Sequence, residues 1–213
     1  VDCTGPSEEF TITVSPTAQV EQVEDIVVCN GDEVAEIVFA TTSENDIAYS
    51  WSIDTEIGTE SLTGVGNIPL FEADNDTNDP IVATVTVTPS NDETDPSLTC
   101  EGSSIEFTIT VNPTAQVDPV DSLDLCNGDT AVVDFTTSNG GVDSVTTYSW
   151  EITGGDSVFV GGALTGAGNI NLPVINETNA DLVATVTVTP TYTNDSVDCT
   201  GPSEEFTITV SPT

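Results

Sequence analysis

The stretch VDCTGPSEEFTITVSPT occupies residues 1–17 and returns without a change at residues 197–213. It carries a cysteine, a Gly-Pro turn signal, the alternating run Phe10-Thr11-Ile12-Thr13-Val14 and a proline that stops it, which is the pattern of a half-buried strand closing a module. From Val1 to Val197 the interval is 196 residues, and a shorter period lies inside it. VSPTAQVEQVEDIVVCNGD at 14–32 aligns with VNPTAQVDPVDSLDLCNGD at 111–129, an offset of 97. Later landmarks shift by 99 to 102 through small loop insertions: Tyr49-Ser50-Trp51 becomes Tyr148-Ser149-Trp150, the Leu62-Thr63-Gly64 run becomes Leu164-Thr165-Gly166, and Val82 to Pro89 becomes Val183 to Pro190. The chain therefore reads as a window on a tandem array, with the last strand of an upstream repeat at 1–16 and repeats at 17–112 and 113–213. Repetition supplies length, reach and valency, which catalysis does not need.

Composition removes whole classes of function. Among 213 residues there is no Lys, Arg, His or Met, and 37 Asp and Glu give a formal charge of −37. Without cations to neutralise phosphates, nucleic-acid binding loses its main source of affinity, and an anionic membrane surface repels the chain. The usual general base, Schiff-base amine, P-loop lysine and most zinc sites are absent as well. Carboxylate pairs of glycosidase type arise by chance in so acidic a chain, so the reading is not an enzyme. The acids are dispersed through Thr-rich apolar stretches, and 37% hydrophobic content is enough to build packed cores. No run of about 18 apolar residues occurs, so nothing in this window inserts directly in a membrane.

Strand signals recur at Phe10–Val14, Glu36–Phe39, Ala48–Ile53, Ile81–Val87 and Ile105–Val111, separated by Asn30-Gly31-Asp32, Asn139-Gly140-Gly141 and Gly154-Gly155-Asp156 turns. No segment has a helical period. Short strands in a repeat of this length predict an all-β chain of tandem immunoglobulin-like sandwiches forming an extended rod, each with one tryptophan, Trp51 or Trp150, as a core anchor. The short Ser-Pro-Thr and Asn-Pro-Thr linkers predict a semi-rigid rod.

Cys3, Cys29, Cys100, Cys126 and Cys199 are spaced by 26, 71, 26 and 73 residues. Two pairings satisfy this alternation. Cys29–Cys100 with Cys126–Cys199 keeps each bridge inside one repeat and leaves Cys3 to an upstream cysteine; Cys3–Cys29 with Cys100–Cys126 ties neighbours together. The first is the expectation, because it makes each repeat self-contained, with the bridge stapling one pole of the sandwich. Paired structural cysteines place the chain in an oxidising, extracellular compartment.

The densest oxygen-ligand cluster is Glu72, Asp74, Asn75, Asp76, Asn78 and Asp79, a candidate Ca2+ site whose counterpart at 176–181 is thinner. Asn91, Asp92, Glu93 and Asp95 form a lesser cluster. Asn75, Asn176 and Asn194 head Asn-x-Thr/Ser sequons.

The ordered landmarks Cys-Asn-Gly, Tyr-Ser-Trp, Val-Thr-Val-Thr-Pro, Cys-Thr-Gly or Cys-Glu-Gly, and Phe-Thr-Ile-Thr-Val-x-Pro-Thr resemble the PKD-like repeats of very large Bacteroidota surface proteins. They are similar to repeats in gliding-motility adhesins of the SprB type. The resemblance covers essentially the whole chain, with one departure: Trp51-Ser52-Ile53-Asp54 stands where ordinary PKD domains carry Trp-Asp-Phe-Gly-Asp-Gly. It implies type IX secretion, attachment at the outer membrane through regions outside this window, and a role in surface adhesion or gliding. It also draws attention to an Asp-Ser/Thr-aliphatic O-glycosylation pattern, which Ser122, Thr130, Ser144, Ser157 and Ser196 fit.

The sequence thus points to a stalk segment of a secreted adhesin whose partners are neighbouring repeats, with surface polysaccharide or other copies as outside partners. Two other readings stay open: a filament subunit using strand complementation, and an accessory module of a polysaccharide-acting enzyme.

Overall fold

A computed structural model describes residues 5, 7–12, 14, 16–42, 47–91, 100–141 and 145–213. The first repeat contains β1 (Ile26–Cys29), β2 (Glu33–Val34), β3 (Ile47–Ile53), β4 (Thr63–Val65), β5 (Phe71–Glu72), β6 (Ile81–Asn91) and β7 (Ile105–Asn112). The second contains β8 (Leu123–Cys126), β9 (Thr130–Val133), β10 (Val145–Gly155), β11 (Thr165–Ala167), β12 (Ile170–Pro173), β13 (Leu182–Asn194), β14 (Val197–Thr200) and β15 (Glu204–Ser211). The chain is all-β, and the architecture is an immunoglobulin-like sandwich used twice.

In each repeat a large sheet faces a two-stranded one. The larger sheets run β1-β7-β6-β3-β4 and β11-β10-β13-β15-β8, and the smaller ones pair β2 with β5 and β9 with β12. The first strand of each repeat lies parallel to the last: β1 beside β7, with Cys29 opposite Asn112, and β8 beside β15, with Cys126 opposite Ser211. All other strand pairings among the described residues are antiparallel.

The alternation in β6 explains its place at the centre. Ala83, Val85 and Val87 are fully buried on one face, while the intervening threonines lie on the other. Trp51 and Trp150 are buried to 7% and 5% exposure, each inside its own cluster, so neither ring face is open for sugar stacking. Each tryptophan lies in register with a glycine of the neighbouring short strand, Gly64 for Trp51 and Gly166 for Trp150. A Cβ at either glycine would clash with the indole ring. Gly166→Ala is therefore expected to lower stability by about 2 kcal/mol, the usual cost of overpacking, seen as a lower urea midpoint.

Two sequence expectations are corrected. Glu36–Phe39 forms only an isolated bridge between Ile37 and Ile68, because its partner is equally short. The described residues of Phe10–Val14 form no strand; Phe10, Ile12 and Val14 stand 83%, 77% and 85% exposed. Their identical counterparts Phe206, Ile208 and Val210 are buried in β15.

The disulfide expectation is also corrected. Cys29 bonds Cys199 across the two repeats, with Cα atoms 5.5 Å apart, in place of Cys29–Cys100 and Cys126–Cys199. The reason is the parallel pairing. Cys29 sits beside Asn112 at the exit end of β7, whereas Cys100 precedes the entry at Ile105. The intervening strand spans roughly 23 Å, far beyond disulfide reach. The same geometry separates Cys126 from Cys199. Cys3 lies outside the described residues.

Candidate functional site

The end at which a repeat hands the chain to its successor is organised by the Cys-Asn-Gly-Asp turn, and every residue of it has a task. Cys29 supplies the bridge. The Asn30 amide donates to Thr114 Oγ1 at 2.9 Å in the linker, and its Oδ1 accepts the Asn75 N–H at 2.8 Å. Gly31 takes φ +84°, a left-handed conformation that glycine alone adopts freely. The Asp32 carboxylate accepts the Cys29 N–H at 3.0 Å.

Facing this turn, the second repeat presents a small apolar patch of Ala115, Tyr192 and Cys199, against which Cys29 and Val197 rest. Asn194 Nδ2 donates to Asn112 Oδ1 at 2.8 Å, and both side chains are buried. The linker itself is enclosed: Asn112, Pro113 and Ala115 are buried, so Asn-Pro-Thr is part of an interface and not a tether. Nothing in the local sequence marks Tyr192, Asn112 and Asn194 as junction residues. The available signal was the switch from Ser15 to Asn112 to Ser211 at one position of the repeat.

The acidic loop expected to bind calcium helps to close the same junction. Asn75 is 2% exposed and folds the loop on itself. Its amide donates to Asp79 O and Val111 O at 2.9 and 2.7 Å, while its Oδ1 accepts both the N–H and the hydroxyl of Thr77. Asn78 turns to the second repeat: its carbonyl accepts the Gly140 N–H at 2.9 Å and its Oδ1 accepts from the Gln116 amide at 3.2 Å. The Asp79 carboxylate lies against Gly140. Glu72, Asp74, Asp76, Asn78 and Asp79 are thus not drawn into one cage. Among the described residues, no three acids or cysteines are grouped so as to hold a metal. Asp92, Glu93 and Asp95 lie outside the described residues.

Asn176 repeats the Asn75 network in the second repeat, to Thr178, Ala180 and Val210. Both sequon asparagines are consumed in this way, and Asn194 is consumed at the junction, so the folded chain offers none of the three to a glycan. Ser122, Thr130, Ser157 and Ser196 are exposed, and Ser144 lies outside the described residues.

Backbone donors do the work that cations do elsewhere. The Asp25 carboxyl is held below the ordinary carboxylate range by the Thr108 N–H at 2.6 Å, and that of Asp54 by the Thr84 N–H at 2.8 Å. A lowered folded-state value means that each contact contributes above the unfolded carboxyl range and is lost as pH falls through the lowered value.

A cavity of about 120 Å³ beside Trp51 is lined by Thr59, Ile68, Leu70 and Phe71. The Trp51 indole N–H and the Thr59 hydroxyl are buried there without a protein partner.

No family model matches the chain, and no curated protein matches it. Among solved structures it is similar to the extracellular domain of protocadherin gamma-B4, with 12% identity over 92% of this chain and 34% of that one, at a TM-score of 0.41. It is also similar to the insect immune protein hemolin, with 10% identity over 92% and 50% of the two chains and a TM-score of 0.33. A third is a SusE-like surface-located polysaccharide-binding protein of Bacteroides thetaiotaomicron, with 11% identity over 89% and 33% and a TM-score of 0.31. The chain spans between a third and a half of the length of these three structures. No helix among the described residues is long and apolar enough to cross a membrane.

Proposed function

We propose that the chain is a tension-transmitting spacer segment of a large extracellular adhesive protein at a bacterial surface, of the Bacteroidota kind that its repeat landmarks resemble. The observation that carries this reading is the junction. A bridge between Cys29 and Cys199, a buried linker and side-chain hydrogen bonds across the interface resist both bending and separation of the repeats. A catalytic module has no use for such a joint, whereas a spacer must transmit force and keep its reach. The bridge also favours an oxidising compartment outside the cytoplasm. The exposed Ser122, Thr130, Ser157 and Ser196 are the hydroxyls at which O-glycosylation is to be sought.

Small-angle scattering tests the reading. A monomeric, elongated particle whose maximum dimension does not change with protein concentration is expected, and a compact particle overturns it. Melting in EDTA, in calcium and in sodium chloride of matched ionic strength belongs to the same test. With −37 charges and no side-chain cation, both salts should raise the melting temperature equally by screening. A rise specific to calcium would place an ion among Glu72, Asp74, Asp76, Asn78 and Asp79.

A second reading, strand complementation between copies, draws support from one observation. Phe10, Ile12 and Val14 are open in a segment identical to the one buried in β15. A particle that grows with concentration would favour it.

A further inference from the structure

We infer that the exit pole of the second repeat, centred on the Cys126 thiol, is a covalent docking surface for a further copy of the 17–112 repeat. On this inference every repeat is laced to its successor by a forward disulfide. The inference concerns how repeats are joined and stands whether or not the array serves adhesion.

Both halves of this second kind of junction are already visible, at opposite ends of the molecule. The exit half is at Cys126. As at Cys29, its N–H is accepted by the aspartate three residues on, Asp129, at 2.8 Å. Asn127 N–H donates to Ser211 O at 3.0 Å as Asn30 N–H donates to Asn112 O at 2.9 Å. Asn127 Nδ2 reaches Thr213 Oγ1 as Asn30 Nδ2 reaches Thr114 Oγ1. Asn176 is held by Asn127 Oδ1 as Asn75 is by Asn30 Oδ1. Cys29 is bridged, whereas Cys126 is an exposed free thiol.

The entry half is at Ala18. Gly102 lies against Ala18 O as Gly201 lies against Ala115 O, with no room for a side chain in either place. Asn91 Nδ2 donates to Pro16 O at 2.7 Å, taking up the preceding linker with a different residue from the Asn194–Asn112 pair of the other junction. That difference matches the linker it meets, where serine stands at positions 15 and 211 and asparagine at 112.

The two halves belong together because the same seventeen residues connect them. VDCTGPSEEFTITVSPT closes the second sandwich at 197–213, and at 1–17 it runs directly into Ala18 of a 17–112 repeat. The occupant of the Cys126 pole is therefore such a repeat. Its counterpart of Cys100 falls where Cys199 falls relative to Cys29. Two thiols lose two protons and two electrons to form the S–S bond, and a disulfide oxidant, itself reduced to two thiols, accepts them.

The test begins with the chain as it stands. Native maleimide labelling should modify Cys126 and leave Cys29 and Cys199 untouched. Next, a chain in which residues 18–112 follow Thr213 a second time is refolded with oxidised glutathione, alkylated and cut without reduction. Glu-C is the protease to use, since trypsin has no site here. The expected product is a crosslinked peptide joining Cys126 to the appended counterpart of Cys100, with Cys29–Cys199 intact. In the lengthened chain Cys126 labelling should fall at least tenfold. Cys126→Ser should restore one reactive thiol, at that appended counterpart, while circular dichroism stays unchanged because position 126 is exposed. Cys126 that remains alkylated in the lengthened chain, or that bonds any other cysteine, overturns the inference.

Discussion

Asn176→Ala is expected to destabilise the second repeat by about 2 to 3 kcal/mol, a large share of the stability of a single domain of this size. The side chain is 2% exposed. Its amide donates to Ala180 O at 2.8 Å and to the buried Val210 O at 2.6 Å, and its carbonyl accepts from the N–H and hydroxyl of Thr178 at 2.9 and 2.7 Å. Alanine leaves the buried Val210 carbonyl without this donor, at about 1 to 3 kcal/mol, and removes the acceptor of the Thr178 N–H and hydroxyl, while Ala180 O keeps the Thr178 hydroxyl at 2.8 Å. The Val210 contact ties the loop to β15, so its loss also loosens the strand that closes the sandwich. Asn176→Asp should be no better, since a carboxylate keeps the acceptor role but faces two carbonyls it cannot serve. Urea unfolding followed by hydrogen exchange resolved by repeat is the measurement. The second repeat should open first, with the first retaining its protection. A loss below 1 kcal/mol would mean that water replaces the amide and that the network is incidental. Asn75→Ala should do the same to the first repeat.

The same residue shows where sequence reading reaches and where it stops. The alternation of β6 and β7 places their buried faces correctly, because a long strand with one wet face must alternate whatever it pairs with. Asn75 and Asn176 head sequons and acidic runs, and a linear reading sees in them glycan acceptors and metal ligands. Only the fold shows that each side chain points inward and is spent on its own loop. Phe10–Val14 and Phe206–Val210 make the limit plainer still. The second run is a buried strand and the described residues of the identical first run form none, because a strand is made by its neighbours and not by its own pattern. The cysteine spacing failed for a related reason. Its alternation is compatible with bridges inside repeats, but the parallel pairing of first and last strands, which no local pattern announces, puts Cys29 and Cys100 at opposite poles.

Cys199→Ser should destabilise both repeats, by about 4 kcal/mol each on the chain-entropy model, less any strain in the junction. Consider the second repeat unfolding alone. Its chain leaves Asn112, which lies beside Cys29 in the intact first repeat, and Cys199 is still tied to Cys29. The unfolded segment is therefore a closed loop, and closure removes entropy that the open chain would gain. When the first repeat unfolds alone, its segment from Cys29 to the linker is closed in the same way, because Cys199 and Ala115 stay together in the second repeat. One bond between neighbours thus protects both of them, whereas a bridge inside a repeat protects only its own. This separates the two arrangements in one experiment. With Cys29–Cys199, the substitution at 199 lowers the stability of the first repeat, from which it is absent; with Cys126–Cys199, the first repeat would be untouched. Repeat-resolved hydrogen exchange in urea, with Cys126→Ser as the control at an exposed thiol, reads the difference. An unchanged first repeat in Cys199→Ser would sink the bridge between repeats and the spacer function built upon it.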